Sequence, residues 1–244
     1  MRSLIIATLA VGAATAAVAL PAQAAATKTL YGYAWADGQG QLRVTPVSAT
    51  LVKKNGVLMH SLKAAPGAKE VRLGYGSADF RRLTVACDLK ETEGRLALDA
   101  KGLGKTRCTP MDLAFTLRLQ PNPVKIVYSG KKAVKINEFM PAKYYTKTAK
   151  GTIKRIDDDT IAFKSLALSY TWQLTFNRVT AKCQDGWLTG RPVNADDDGL
   201  GTKGCTFKDF TKAMKPIKYP TLAVVHYNPF SNQLLSVWEV YGDA

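Results

Sequence analysis

The chain holds 244 residues, with 34 Lys and Arg against 19 Asp and Glu for a net charge of +15, two His and four Cys. An excess of this sign favours anionic partners and leaves the fold open, while so few histidines and thiols leave little for nucleophilic or thiolate chemistry. At this length the chain can bury one large core or two modest ones.

Residues 1–24 read as an export signal. Arg2 supplies positive charge, residues 4–20 are apolar and uncharged, and Pro21-Ala22-Gln23-Ala24 presents small residues at the cleavage positions. Cleavage there leaves 33 basic against 19 acidic side chains. No later stretch is apolar for long enough to cross a bilayer, so a secreted protein without a transmembrane segment is expected.

From residue 25 onward the chain repeats itself. The first half opens on Tyr31-Gly32-Tyr33-Ala34-Trp35, a turn rich in Gly, and Leu42-Arg43-Val44, the pattern of a hairpin. Tyr31, Tyr33 and Trp35 share one strand face, where burial is expected ahead of a stacking surface for sugar rings or bases. A segment near 51–75, holding His60, Pro66-Gly67 and Lys69-Glu70, is read as an extra hairpin or a long loop. Two blocks follow, Phe80-Arg81-Arg82-Leu83-Thr84-Val85-Ala86-Cys87 and Gly102-Leu103-Gly104-Lys105-Thr106-Arg107-Cys108-Thr109, and residues 124–128 then turn at Ser129-Gly130 into 133–136.

After a connector at 141–147 the second half takes the same course. Lys150-Gly151-Thr152-Ile153-Lys154 opens it, and Tyr170, Trp172, Leu174 and Phe176 are read as one strand face. Phe176-Asn177-Arg178-Val179-Thr180-Ala181-Lys182-Cys183 returns the first block at an offset of 96, and Gly199-Leu200-Gly201-Thr202-Lys203-Gly204-Cys205-Thr206 the second at 97. Residues 207–214 are expected as a short helix, and a hairpin turning at 228–232 closes the chain.

The fold class predicted is all-β: two tandem related modules, each a small sandwich or partly open barrel, at 25–140 and 148–244. A module that closed its own disulfide before duplication gives Cys87–Cys108 and Cys183–Cys205. The four cysteines form no CxxC pair and lie near no His, so zinc is not expected.

Candidate chemistry is sparse. Asn194, Asp196 and Asp198 before Gly199 match the opening of a calcium loop, but Cys205 stands where a closing Glu belongs, so a solvated acidic turn is the competing reading. Asp157-Asp158-Asp159 reads as a turn between strands. Basic residues cluster at Lys131, Lys132 and Lys135 and again at Lys147, Lys150, Lys154 and Arg155, with Lys212, Lys215 and Lys218 further on. The first two clusters are the candidate anion-binding residues, weighed against a solvated, aggregation-resistant edge. These features predict a secreted, non-enzymatic binding protein for an anionic envelope component or an acidic protein. The alternatives are an inhibitor or toxin-like effector acting through residues 51–75, and a hydrolase using His226 with Ser231 or Ser236, for which no nucleophile elbow is present. No cofactor is expected, and no nucleic-acid motif accompanies the lysines.

Overall fold

The computed structural model describes residues 26–87, 95–189 and 191–242, so the export signal expected over 1–24 lies outside the described residues. The first half runs through β1 (Lys28–Ala36), β2 (Gln41–Lys54), β3 (Val57–Ala64), β4 (Val71–Gly74), β5 (Asp79–Arg82) and β6 (Thr106–Cys108). Helix α1 (Pro110–Leu119) and a closing hairpin of β7 (Asn122–Ser129) and β8 (Lys132–Glu138) complete it. The second half repeats this order without a counterpart of β3. It comprises β9 (Lys147–Arg155), β10 (Thr160–Phe163), β11 (Leu166–Ser169), β12 (Thr175–Arg178), β13 (Lys203–Thr206), α2 (Phe207–Met214), β14 (Thr221–Asn228) and β15 (Gln233–Glu239).

Five strands in each half form a ring. In the first, β1 pairs β2 and β7, β2 pairs β4, β7 pairs β8, and β4 meets β8 where Gly74 stands opposite Lys132. In the second, β9, β10, β11, β15 and β14 repeat the circuit, closed by Ser169 opposite Gln233. The closing contact is parallel in both rings and the other pairings are antiparallel. A ring order of first, second, third, fifth and fourth strand, with a helix between the third and fourth, is the topology of the partly open OB-fold barrel. Of the two expected architectures the chain therefore adopts the barrel, twice.

Alternation along the strands fills each barrel. Leu42, Val44, Val124, Ile126 and Ile136 turn inward with Leu113 and Leu117 of α1. Ile153, Ile161, Phe163, Val225 and Val237 do so with Phe210 and Met214 of α2. Each such side chain contributes roughly 1.5–3 kcal/mol when fully buried. Both helices start on the same device: Thr109 and Asp112, and Thr206 and Asp209, form reciprocal capping boxes directly after the second cysteine of each module. The helix expected at 207–214 is present. Its twin α1 was not foreseen from the residues, because exposed Met111 and Phe115 blur the apolar stripe. The disulfides are Cys87–Cys108 and Cys183–Cys205, so each module carries its own covalent loop.

The unmatched segment is a hairpin. Asn55 and Gly56 take φ of 50° and 81°, two successive left-handed residues that join β2 to β3 in the manner of a type I′ turn. Strand β3 then clamps the connector, since His60 N donates to Met140 O at 2.8 Å and Ala142 N donates to His60 O at 2.9 Å. The His60 ring is buried, with centroids 5.6 Å from Tyr31 and 4.8 Å from Phe139. Burial, and then the nearby Lys125 charge, hold its pKa below the usual histidine value against the opposing pull of Asp99. A folded-state pKa below the unfolded one means stability is fully present above about pH 6.5 and is lost progressively as pH falls from there through the lower folded-state pKa. The wild-type thermal midpoint is therefore expected to fall between about pH 7.5 and 5.5 by more than that of His60→Phe. Equal falls in the two proteins would remove His60 as the cause.

The modules dock directly. Trp35 Nε1 donates to Ser231 O at 2.9 Å in the β14–β15 turn, and Arg43 donates to Ser169 Oγ at 2.7 Å. Phe230 of the same turn meets Tyr145 edge to face at 4.7 Å, and both pack against a cluster of Tyr33, Val47, Leu62, Leu103 and Phe139. Burial pushes the Tyr33 hydroxyl pKa up to about 12, against the opposing pull of the Asn228 side chain. Tyr33 and Trp35 of the aromatic face of β1 are thus covered by the second module, while half-buried Tyr31 packs on His60 and Phe139. The other aromatic run departs from expectation: β11 ends at Ser169, residues 170–174 form a turn in which Leu174 N donates to Thr171 O, and β12 begins at Thr175. Trp172 consequently stands 56% exposed while Tyr170, Leu174 and Phe176 are buried.

Candidate anion-binding face

A repeated ion pair holds the β5 and β12 ends in place. Arg178 is fully buried, donating to Glu239 Oε1 at 2.8 Å and to the carbonyls of Cys183, Asp185 and Gly186 at 2.6–2.8 Å. Glu239 also accepts from Val179 N and Leu188 N. In the first module Arg82 lies 3.5 Å from Glu138 and donates to Cys87 O, and Glu138 accepts from Leu83 N. Burial raises the Glu138 pKa, with Arg82 pulling the other way. Gly104 and Gly201 pass so close to the backbone at Arg82 and Arg178 that a Cβ at either would collide with it. That close approach explains the second Gly of each Gly-Leu-Gly stretch.

On this frame, strand register places four cations on the outer face of the first barrel, and a fifth, Lys105, lies just ahead of β6. Lys125 stands opposite Asn137, Asn137 opposite Arg81, and Arg81 opposite Arg107, across β7, β8, β5 and β6. Lys135 stands opposite Asp79 one step along. Phe80 and Ile136 between them face the core, so these side chains project outward. Asp79 is the shared partner, with Arg81 Nε at 2.9 Å, Arg107 Nε at 3.8 Å and Lys135 Nζ at 4.0 Å. Arg81 also donates to Lys105 O at 3.2 Å, which places exposed Lys105 beside it. One carboxylate facing three cations leaves net positive charge, and Arg107 keeps 79% of its side chain exposed.

The second module presents neutral residues at the equivalent positions: Val224 for Lys125, Asn177 for Arg81, Gly204 for Arg107, Ser236 for Lys135 and Thr202 for Lys105. The whole charge distribution follows suit. Residues 25–147 hold 21 Lys and Arg against 9 Asp and Glu, and residues 148–244 hold 12 against 10.

The residues expected to bind anions divide between the modules. Lys135 belongs to the face just described, Lys131 lies in the adjoining turn and Lys132 begins β8, all three exposed. Lys147, Lys150 and Lys154 are exposed on β9 of the other sheet, and Arg155 pairs with Asp158. Arg81, Lys105, Arg107 and Lys125 were missed. The signal that finds three of them lies inside the repeated blocks, where Arg81, Lys105 and Arg107 answer to neutral Asn177, Thr202 and Gly204, while Ala86 and Thr106 answer to Lys182 and Lys203.

The calcium candidates serve the local backbone. Asn194 Nδ2 donates to Thr180 O at 2.8 Å, and Asp196 Oδ1 accepts from Asp198 N and Leu200 N at 3.1 and 2.7 Å. Asp99 accepts from Lys101 N and Leu103 N in the same way, in a copy without the acid series, and Asp198 is exposed. Among the described residues, groups of three His, Cys, Asp or Glu ligand atoms converge only at the two disulfides with Asp112 or Asp209, where the sulfurs are already bonded to each other. His226 Nδ1 lies 2.8 Å from Thr148 Oγ1 and stands opposite Ser236, whereas Ser231 is fully buried at the module interface.

Comparison of the chain with protein-family models, curated proteins and solved structures finds no match. The functional reading therefore rests on geometry and charge alone.

Proposed function

We propose that this is an exported binding protein that holds an anionic polymer of the cell envelope on the outer face of its first barrel. The observation that carries the reading is the set of four cations on one sheet face, Arg81, Arg107, Lys125 and Lys135, with Lys105 beside it, Asp79 as the carboxylate shared by three of them and neutral counterparts on the sister module. A fixed array of this kind attracts a polyanion by releasing its counterions, so affinity falls steeply with salt. Export is supported by the N-terminal signal pattern and by two disulfides, which persist in oxidising compartments.

Heparin serves as the model polyanion. The triple variant Arg81→Gln, Arg107→Gln, Lys135→Gln is expected to elute from immobilised heparin at clearly lower salt than a charge-matched variant, Lys150→Gln, Lys154→Gln, Lys212→Gln. The slope of log affinity against log salt should flatten by roughly 0.7–0.9 for each cation that no longer neutralises an anionic group of the polymer. Equal elution shifts in the two variants would show that only total charge matters and would overturn the assignment of the face.

A further inference from the structure

The docked barrels enclose a cleft unrelated to the basic face. Two adjoining cavities, of about 300 and 390 Å³, share Ala36, Arg43 and Asp159. Each is of the size of a small-ligand site, and interfaces between domains are where such sites concentrate. We propose that this cleft is a subsite for a neutral pyranose ring of a saccharide.

The aromatic wall is the first support. Trp172 lines the cleft beside Tyr170 and Phe207 with 56% of its surface exposed, and it sits in the turn between β11 and β12, where the first module has the shorter Tyr75-Gly76-Ser77-Ala78 with no Trp. A large ring exposed at the mouth of a concavity, and present in one copy only, has no packing role there. It offers a flat apolar surface to the C–H face of a sugar.

The polar groups are the second support. Arg43 is locked in place by Glu70 at 3.0 Å, by Ser169 Oγ at 2.7 Å and by the Trp35 ring 4.8 Å away. Ser169 Oγ lies 3.1 Å from Thr160 Oγ1, which donates to Asp159 Oδ1 at 2.9 Å. A fixed donor at one end of this chain and a carboxylate acceptor at the other match vicinal hydroxyls, which both donate and accept. The lining also decides the ligand's charge. Asp37, Glu70, Asp157 and Asp159 stand against Arg43 and Arg72 in one cavity, and Asp158 and Asp159 against Arg43 and Arg118 in the other, so no net positive field favours an anion.

The test is a panel of neutral trisaccharides, of glucose in α and β linkage, mannose and N-acetylglucosamine, followed by intrinsic tryptophan fluorescence and calorimetry. At least one is expected to bind, and Trp172→Ala and Asp159→Asn are each expected to weaken it about tenfold, in line with the loss of a stacked ring or a hydrogen bond to a charged acceptor. Both side chains are exposed, so unchanged thermal midpoints will show that the fold is intact. The triple variant of the basic face should bind the same sugar as the wild type, which separates this site from the polyanion reading. Absence of binding across the panel, or binding indifferent to both substitutions, overturns the proposal, as does preference for adenosine monophosphate over every sugar.

Discussion

Arg178→Met is expected to destabilise the second module by about 3–5 kcal/mol, the penalty for leaving one member of a buried ion pair without the other. Arg178 and Glu239 are both fully buried, and the guanidinium also gathers the carbonyls of the 182–186 loop, so its loss orphans the carboxylate and several acceptors at once. Replacing both partners, Arg178→Met with Glu239→Leu, should recover part of that loss, because the uncompensated charge is removed. The same change at Arg82 should cost less. That side chain is 6% exposed, its Nε lies 3.5 Å from Glu138, and it reaches one loop carbonyl, that of Cys87. Urea melts followed by near-ultraviolet circular dichroism will rank the variants. An Arg178→Met protein as stable as the wild type would remove the pair as the anchor of this end of the barrel.

Opening either disulfide is the second large effect. Each bond spans 21 or 22 residues, and on the chain-entropy model a loop of that size stabilises by roughly 3 kcal/mol. Cys183→Ala with Cys205→Ala and Cys87→Ala with Cys108→Ala should therefore lose similar amounts, and reduction of the wild type should reproduce the sum. Both bonds fix the strand that runs directly into a helix capping box, so α1 and α2 should fray before their barrels open. Hydrogen exchange of Leu113 and Phe210 amides in the two variants measures this, and exchange as slow as in the wild type would contradict it.

Much of the fold was readable because duplication displays the constraints twice. Phe80 and Phe176, the four cysteines, and the Gly-Leu-Gly stretches recur since each performs one packing or bonding task per barrel. Glu138 and Glu239 escaped notice because they lie outside those blocks, and only the β5–β8 and β12–β15 pairings bring them to the arginines. The hairpin turn at Asn55-Gly56 was legible in principle from the dipeptide alone. The candidate face was not readable from spacing, since its cations come mainly from four separated strands whose side-by-side order is set by the β7–β8, β8–β5 and β5–β6 pairings. Clusters along the chain, such as Lys150 and Lys154, instead report one strand's solvated side.

The unequal treatment of the two opening strands has a further consequence. The second barrel seats its final turn on Trp35 and its neighbours, and a contact between unlike surfaces of repeated units extends into a filament unless something ends the series. Its own matching surface offers Lys150, Thr152 and Lys154, while the corresponding turn of the first barrel brings Lys131 and Lys132. Ammonium would face ammonium in a head-to-tail addition through these two surfaces, which works against extending the series by this contact.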